Sequence, residues 1–338
     1  MWPRLLLLVA STLAVLFLGE GILRLAGFAP LYVGEDQRIF WRDDPELGWH
    51  HRPNQQGEFQ TEFFRVHVSI NSRGLRDTEV TQYKPHGVRR VLAIGDSYVW
   101  GFGVESDEIF TEDLERELPA TEVINGGVSG YSTDQALLWL RRDGIRYAPD
   151  VVVYVLSGND DVMNHMKRVY WIYDKPSFRL RDGGTLELEG VPVPQPSRVT
   201  RARHWLRARS ALVHLAEVST LFHTLLPWLT AAQDTLAHPL DTGDPHRLTV
   251  ALVGAMRDAA RGIGASLVVV SYSGYWYSPH GSYERLVGEL RRAGHDVLDV
   301  EALSGWNYEA MVIQGDGHWN ARGHAFVAEA LLERRLVQ

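Results

Sequence analysis

Four short segments combine side chains capable of nucleophilic or acid–base chemistry with glycines that can turn the backbone. They are Gly95-Asp96-Ser97, the run 125–130, Ser157-Gly158-Asn159-Asp160 and the run 315–320. The first three follow apolar runs that predict buried β-strands, and the fourth precedes the last predicted helix. Because the carboxyl ends of parallel strands meet at one edge of a sheet, we expect these segments to converge on one crevice.

Ester chemistry at such a crevice requires a hydroxyl nucleophile, a base and a carboxylate that orients the base. Ser97 can supply the hydroxyl, and His318 the base. Asp316 lies two residues before His318, so one loop can hold both. N–H donors must also meet the oxyanion that develops, and the candidates are the backbone of Ser97 and Gly130 and the side-chain amide of Asn159.

In their order along the chain, the four segments resemble the blocks of the SGNH (GDSL-like) hydrolase family. The resemblance covers residues 90–338, and the N-terminal region resembles membrane-anchored bacterial members. It implies that Ser97, His318 and Asp316 are the catalytic residues, and that Ser97, Gly130 and Asn159 form the oxyanion hole. It also implies an enzyme that needs no cofactor.

The sequence departs from the family pattern at two positions. Ser157 replaces the first glycine of the third block, and Asp316 precedes His318 by two residues instead of the usual three. The Asp-x-His-Trp step resembles the branch that O-acetylates exopolysaccharides. We therefore expect a serine hydrolase acting on esters through an acyl-enzyme (an esterase, deacetylase or lipase-like enzyme), with polysaccharide O-acetyltransfer and a non-enzymatic binding module as alternatives.

Other polar residues near these blocks are interpreted structurally. Asp96 is expected to support the turn through backbone hydrogen bonds. The carboxylates of Asp160 and Asp161 suit a helix N-terminus, and with His165 and His318 their spacing does not match a metal site, so no metal is predicted. His324 falls inside the last helix and is expected to point away from the crevice.

Aromatic residues beside the blocks leave two interpretations open. Trp100 and Trp319 are either walls of a pocket for an apolar or sugar ligand or ordinary core residues. The run 272–277 follows a predicted strand, so it either contacts substrate or forms a packed surface loop.

Composition narrows the function class. The 338 residues carry a net charge of −8 and a pI near 6.0, which gives no electrostatic basis for binding nucleic acid. The chain has no cysteine, which excludes disulfides, thiolate catalysis and cysteine-based metal sites. The expected partners are an ester-bearing small molecule, a lipid or a glycan.

An alternation of strands and helices predicts an α/β fold, a three-layer α/β/α sandwich around a parallel, flavodoxin-like sheet. Predicted strands are 90–94, 122–125, 150–156, 266–271 and 296–300, and predicted helices are 107–118, 133–146, 247–263, 282–293 and 322–336. A small β-rich preamble spans 30–88, and residues 89–338 form the main domain. Within it, the insertion 161–246 contains a hairpin over 178–189 and a helix over 201–226, either a lid or a lipid-binding segment.

Residues 1–29 have the features of a membrane anchor or a signal peptide. Arg4 precedes an uncharged apolar run over 5–18, and apolar residues continue past Glu20. We interpret this region as an uncleaved signal anchor with the main domain outside the cytoplasm, or as a cleaved signal peptide of a secreted protein; a buried helix is the third possibility.

Overall fold

A computed structural model describes residues 2–27, 40–169, 173–198, 206, 210–218, 246–274 and 282–338. The chain divides into two compact units, Met1–Arg38 with Gln195–Gln233 and Ile39–Pro194 with Asp234–Gln338. Much of the helix predicted over 201–226 and the aromatic run 275–277 lie outside the described residues, as do residues 30–39 of the preamble.

Thirteen strands occur in the part of the chain that the structure describes. In chain order they are β1 Trp41–Asp44, β2 Gly48–His51, β3 Gln55–Gln60, β4 Arg65–Ile70, β5 Arg89–Ile94, β6 Thr121–Asn125, β7 Val151–Ser157, β8 Arg168–Val169, β9 Tyr173–Asp174, β10 Ser177–Leu180, β11 Leu186–Glu189, β12 Ser266–Tyr272 and β13 Asp296–Asp299.

The described helices belong to both units of the chain. In chain order they are α1 Trp2–Leu25, α2 Ser97–Trp100, α3 Phe110–Glu117, α4 Thr133–Arg142, α5 Asp160–Met163, α6 Ala211–Val218, α7 Arg247–Arg261, α8 Ser282–Arg292, α9 Tyr308–Met311 and α10 Ala321–Glu333. A short 3₁₀ turn, Ser106–Glu108, precedes α3, and another, Gly144–Tyr147, follows α4.

Five strands form the central parallel sheet in the order β13-β12-β7-β5-β6. Numbered along the chain, this is the order 2-1-3-4-5 of flavodoxin-like folds, as predicted. β7 lies in the centre, and all seven of its residues are buried. A strand buried on both faces needs a continuous apolar run, which explains why sequence identified this strand well.

Alternate residues of the central strands face two separate cores. On β7, Val152, Tyr154 and Leu156 join the cluster under α4, α7 and α8. Val153 and Val155 join the cluster under α3 and α10. The sheet is therefore covered by helices on both faces, and the predicted three-layer sandwich is confirmed.

The preamble contributes two antiparallel hairpins, β1–β2 and β3–β4. Val66, Val68 and Ile70 of β4 face inward, as their alternation predicts. With Phe59 they form a third cluster that also contains Trp100 at the end of α2. The preamble thereby packs against the segment that follows Ser97.

The described part of the insertion contains the short antiparallel pair β8–β9 and, after it, the hairpin β10–β11. Just before it, Lys175 forms an ion pair with Asp134 at the start of α4, and both side chains are fully buried. Lys175 Nζ also donates to the carbonyl of Met163, 3.1 Å away. These contacts fix the base of the hairpin to the helix layer.

In the other unit, α1 is a helix of 24 residues with a mean hydropathy of 2.2 in its most apolar window, and none of that window is buried. Its length and composition suit a membrane span, and they suit a signal sequence equally. Near its end, the Glu20 carboxylate accepts hydrogen bonds from the N–H groups of Ala211 and Leu212 at the start of α6. Glu20 is thus an N-terminal cap for α6.

Candidate active site

Ser97 lies where β5 ends and the chain turns into the single turn of α2. Gly95 has a φ of +150°, and a Cβ there would lie 2.8 Å from the Val155 carbonyl oxygen, so the turn requires glycine. Asp96 caps the turn by accepting a hydrogen bond from the Tyr98 N–H at 3.0 Å. The expected turn-supporting role of Asp96 is therefore observed, and Ser97 is placed at the carboxyl edge of the sheet.

His318 and Asp316 lie next to Ser97. His318 Nε2 is 2.8 Å from Ser97 Oγ, and His318 Nδ1 is 2.5 Å from Asp316 Oδ1. Burial alone would raise the pKa of the Asp316 carboxyl, but the hydrogen bonds and charge of His318 outweigh it and lower the pKa. The carboxylate is thus ionised beside the imidazole, which favours the tautomer with its proton on Nδ1 and leaves Nε2 as the acceptor.

The short Asp316–His318 step is accommodated by the backbone between them. Asp316 Oδ1 accepts hydrogen bonds from both the backbone N–H and the ring of His318. Gly317 has a φ of +91° and Gly315 a φ of +85°, which side-chain-bearing residues rarely adopt. The two glycines let a carboxylate two residues away reach Nδ1.

Aromatic rings enclose the imidazole. The Phe102 and Tyr98 rings lie 4.3 and 5.0 Å from the His318 ring, centroid to centroid. Phe102 also contacts Phe59 and Phe64, so the preamble supports this ring. Tyr98 and Phe102 were not predicted as site residues; their positions within five residues of Ser97 were the available signal.

The two tryptophans with open interpretations are core residues. Trp100 and Trp319 have no exposed surface. Trp319 packs against Tyr98 with ring centroids 4.9 Å apart, and Trp100 lies in the preamble cluster. Neither indole forms a pocket wall, since burial keeps both from solvent. They support the rings around His318 from behind.

The predicted oxyanion donors follow β6 and β7. Gly130 lies in the loop after β6 with a φ of +81°, and within the described chain no hydrogen bond occupies its backbone N–H. Asn159 follows β7, the neighbour of β5 in the sheet. Its Nδ2 lies 3.4 Å from the Met163 sulfur, and its Oδ1 accepts a hydrogen bond from Ser157 Oγ.

Buried carboxyl groups surround this end of β7. Ser157 Oγ is 2.7 Å from Asp96 Oδ2. Asp160 Oδ2 accepts from the Tyr154 hydroxyl and from the Ser157 N–H. Burial, reinforced by the nearby Asp96, raises the pKa of Asp160 well above its usual value, and burial also raises that of Asp96. The bridging position of Ser157 could not be foreseen from sequence beyond its departure from glycine.

The remaining candidates take up structural positions. Asp161 accepts a hydrogen bond from Thr249 and lies 2.8 Å from His246 Nδ1. His324 is buried against Phe110, and its Nδ1 accepts from the Phe110 N–H at 3.4 Å, so it points away from the crevice as expected. Among the described residues, no group of three or more ionisable side chains is arranged to hold a metal ion.

Comparison with curated protein sequences gave no match. Among solved structures, a lipase/acylhydrolase from Enterococcus faecalis is 15% identical, covers 73% of this chain and 95% of its own, and has a TM-score of 0.41. A catalytic mutant of the acetylxylan esterase Axe2 from Geobacillus stearothermophilus is 12% identical, with coverages of 75% and 95% and a TM-score of 0.39. The model of the GDSL-like lipase/acylhydrolase family matches residues 93–326, more than half of the chain, and the protein therefore belongs to that family.

Proposed function

We propose that the protein is a serine esterase that cleaves its substrate through an acyl-enzyme. The observation that supports this best is the continuous hydrogen-bonded line from Asp316 through His318 to Ser97 Oγ. A hydroxyl is a weak nucleophile until a base accepts its proton, and this line supplies the base and the carboxylate that orients it.

In the proposed reaction, Ser97 Oγ attacks the ester carbonyl carbon while its proton passes to His318 Nε2. The carbonyl oxygen becomes an oxyanion, which the N–H groups of Ser97, Gly130 and Asn159 stabilise. The C–O bond to the leaving alcohol then breaks, and that alcohol takes the proton from His318. Water, activated by the same imidazole, hydrolyses the acyl-serine and regenerates the enzyme.

Polysaccharide O-acetyltransfer is the second candidate. The observation that favours it is the two-residue step from Asp316 to His318, followed by Trp319, which departs from the usual hydrolase spacing. Chemistry up to the acyl-enzyme is the same, and a sugar hydroxyl replaces water as the acceptor. Incubation with an acetyl donor, with and without a polysaccharide, distinguishes the two because only transfer leaves acetyl groups on the glycan.

Ser97→Ala tests the proposal directly. It should lower turnover of p-nitrophenyl acetate by about 10⁴-fold or more and abolish labelling by a fluorophosphonate probe. Ser106→Ala, outside the crevice, is the matched control and should retain both. Labelling or turnover that persists in Ser97→Ala would refute the assignment, and wild-type protein that takes up no probe at Ser97 would favour a non-enzymatic binding module.

We further propose that α1 anchors the protein in a membrane with the main domain outside the cytoplasm, with secretion after cleavage as the alternative. Its apolar 24-residue length supports this. Membrane fractionation combined with N-terminal sequencing distinguishes an intact anchor from a processed chain. An intact chain found only in the soluble fraction would exclude both.

A further inference from the structure

The hydroxyl of Ser157 lies between two groups that are both usually hydrogen-bond acceptors. Its Oγ is 2.7 Å from Asp96 Oδ2 and is also hydrogen-bonded to Asn159 Oδ1. Ser157 is the last residue of β7 and is buried. The family resemblance places a glycine at this position, and a glycine has no side chain with which to form this bridge.

The number of protons that Asp96 and Ser157 carry decides which of these hydrogen bonds can form. A serine hydroxyl has one proton to donate and lone pairs with which to accept. If Asp96 were ionised, Ser157 could satisfy either the carboxylate or the amide oxygen, and the other would face a lone pair in a buried site. The three groups are all satisfied when Asp96 carries a proton and donates it to Ser157 Oγ, which then donates its own to Asn159 Oδ1.

The surroundings of Asp96 favour its neutral form. The side chain is buried, and its other oxygen, Oδ1, accepts from the Tyr98 N–H, which a neutral acid can also do. Burial raises the pKa of Asp96, and Asp96 in turn raises the pKa of a second buried carboxyl, Asp160. A protonated His318 has the opposite effect, because its positive charge favours the ionised form of Asp96. In the described ranges, no lysine or arginine forms an ion pair with Asp96.

We propose that Ser157 is the positioning residue for Asn159, and that a neutral Asp96 and the Ser157 hydroxyl together orient the amide so that its nitrogen serves the oxyanion. With Oδ1 held by Ser157, Nδ2 lies on the opposite side of the amide. Turned over, the amide would present an oxygen to the developing negative charge, which is repulsive. This inference rests on the proposed function, because it assigns a use to the Asn159 donor of that reaction.

A double-mutant cycle on Ser157 and Asn159 tests the proposal. Asn159→Ala should lower kcat for p-nitrophenyl acetate by about 10²-fold, and Ser157→Ala by about tenfold, with KM nearly unchanged because the donor acts on the transition state. Adding Ser157→Ala to Asn159→Ala should cost less than about twofold more. Ser271→Ala, a buried serine on the neighbouring strand β12, should leave kcat near the wild-type value.

A second pair of variants examines the proton on Asp96. Asn is the neutral mimic of a protonated Asp, with an NH₂ donor group in place of the O–H and an acceptor oxygen. Asp96→Asn should therefore lose less than about threefold in kcat, and Asp96→Ala about tenfold or more. An equal loss in the two variants would overturn the neutral-Asp96 arrangement, and a Ser157→Ala loss that multiplies fully with that of Asn159→Ala would overturn the positioning role.

These outcomes are separable from failure of the proposed function. Fluorophosphonate labelling of Ser97 in each variant reports whether the nucleophile is still activated, and thermal unfolding reports whether the variant is folded. If wild-type Ser97 is not labelled, the function itself is wrong. If Ser97 is labelled and Ser157→Ala keeps wild-type kcat, only the positioning role of Ser157 is wrong.

Discussion

Two groups of side chains near Ser97, called here the aromatic side and the polar side, are held by different forces. On the aromatic side, formed by Tyr98, Phe102 and His318, ring contacts of 4.3 and 5.0 Å support an imidazole that the hydrogen bond to Asp316 orients. On the polar side, formed by Asp96, Ser157, Asn159 and Asp160, buried hydrogen bonds position the amide. Apolar packing is nondirectional and tolerates small changes in side-chain position. A buried hydrogen bond instead requires a donor opposite each acceptor, because an unpaired polar group in the interior is costly. We therefore expect the two sides to respond differently to substitution and to pH.

The largest effect is expected at Gly317, on which the loop of the aromatic side depends. Gly317→Val places a β-branched residue at a φ of +91°, which is strained, so the Asp316–His318 contact should be lost. We expect kcat to fall by about 10²-fold or more, because the imidazole loses its orienting carboxylate.

A matched control separates this effect from general strain. Gly183→Val places the same residue at a φ of +88° in the exposed turn of the β10–β11 hairpin, where a Cβ would meet no atom within 4 Å. It should retain wild-type kcat. A Gly317→Val enzyme as active as this control would show that the glycine is not needed for the short step.

Phe102→Ala should have an intermediate effect, because it removes one of the two rings against His318. We expect kcat to fall by about tenfold as the imidazole gains freedom, since small displacements of a catalytic group are costly. Phe64→Ala is the control, since Phe64 packs against Phe102 but makes no described ring contact with His318. Equal losses of kcat in the two variants would show that kcat depends on the packing of the preamble as a whole and not on the contact between Phe102 and His318.

The smallest effect is expected from Asp160→Asn on the polar side. Because the folded pKa of Asp160 is raised well above its unfolded value, the folded state keeps a proton that the unfolded chain loses above about pH 4. The folded protein then binds more protons than the unfolded one, so this group lowers stability as pH rises. Asn does not ionise, and the variant should gain stability relative to wild type between pH 4 and pH 8.

Urea unfolding at several pH values measures this difference. Asp161→Asn is the control: Asp161 is bonded to His246 and Thr249, and removing its charge should not reproduce the same rise with pH. A stability difference between wild type and Asp160→Asn that stays flat across this range would mean that Asp160 is ionised in the folded protein.

The positions of the sheet strands could be predicted well from the sequence. The side chains that pack against or hydrogen-bond to the site residues could not. Strands such as β7 were located to within a residue because continuous burial needs a continuous apolar run. Ser97 and Asn159 follow β5 and β7, which are parallel neighbours and end at the same edge of the sheet. The contacts of Phe102 with the preamble depend on how β3 and β4 pack, and the bridge at Ser157 depends on distances across the sheet. Neither follows from local periodicity or spacing.

The buried ion pair between Lys175 and Asp134 holds the base of the β10–β11 hairpin against the helix layer. Swinging the β10–β11 hairpin outward from its base would separate two fully buried charges. Breaking such a pair costs about 3–5 kcal/mol, so an open hairpin would be populated only about once in 10² to 10⁴ molecules. The hairpin is therefore expected to stay on the helix layer in nearly all molecules.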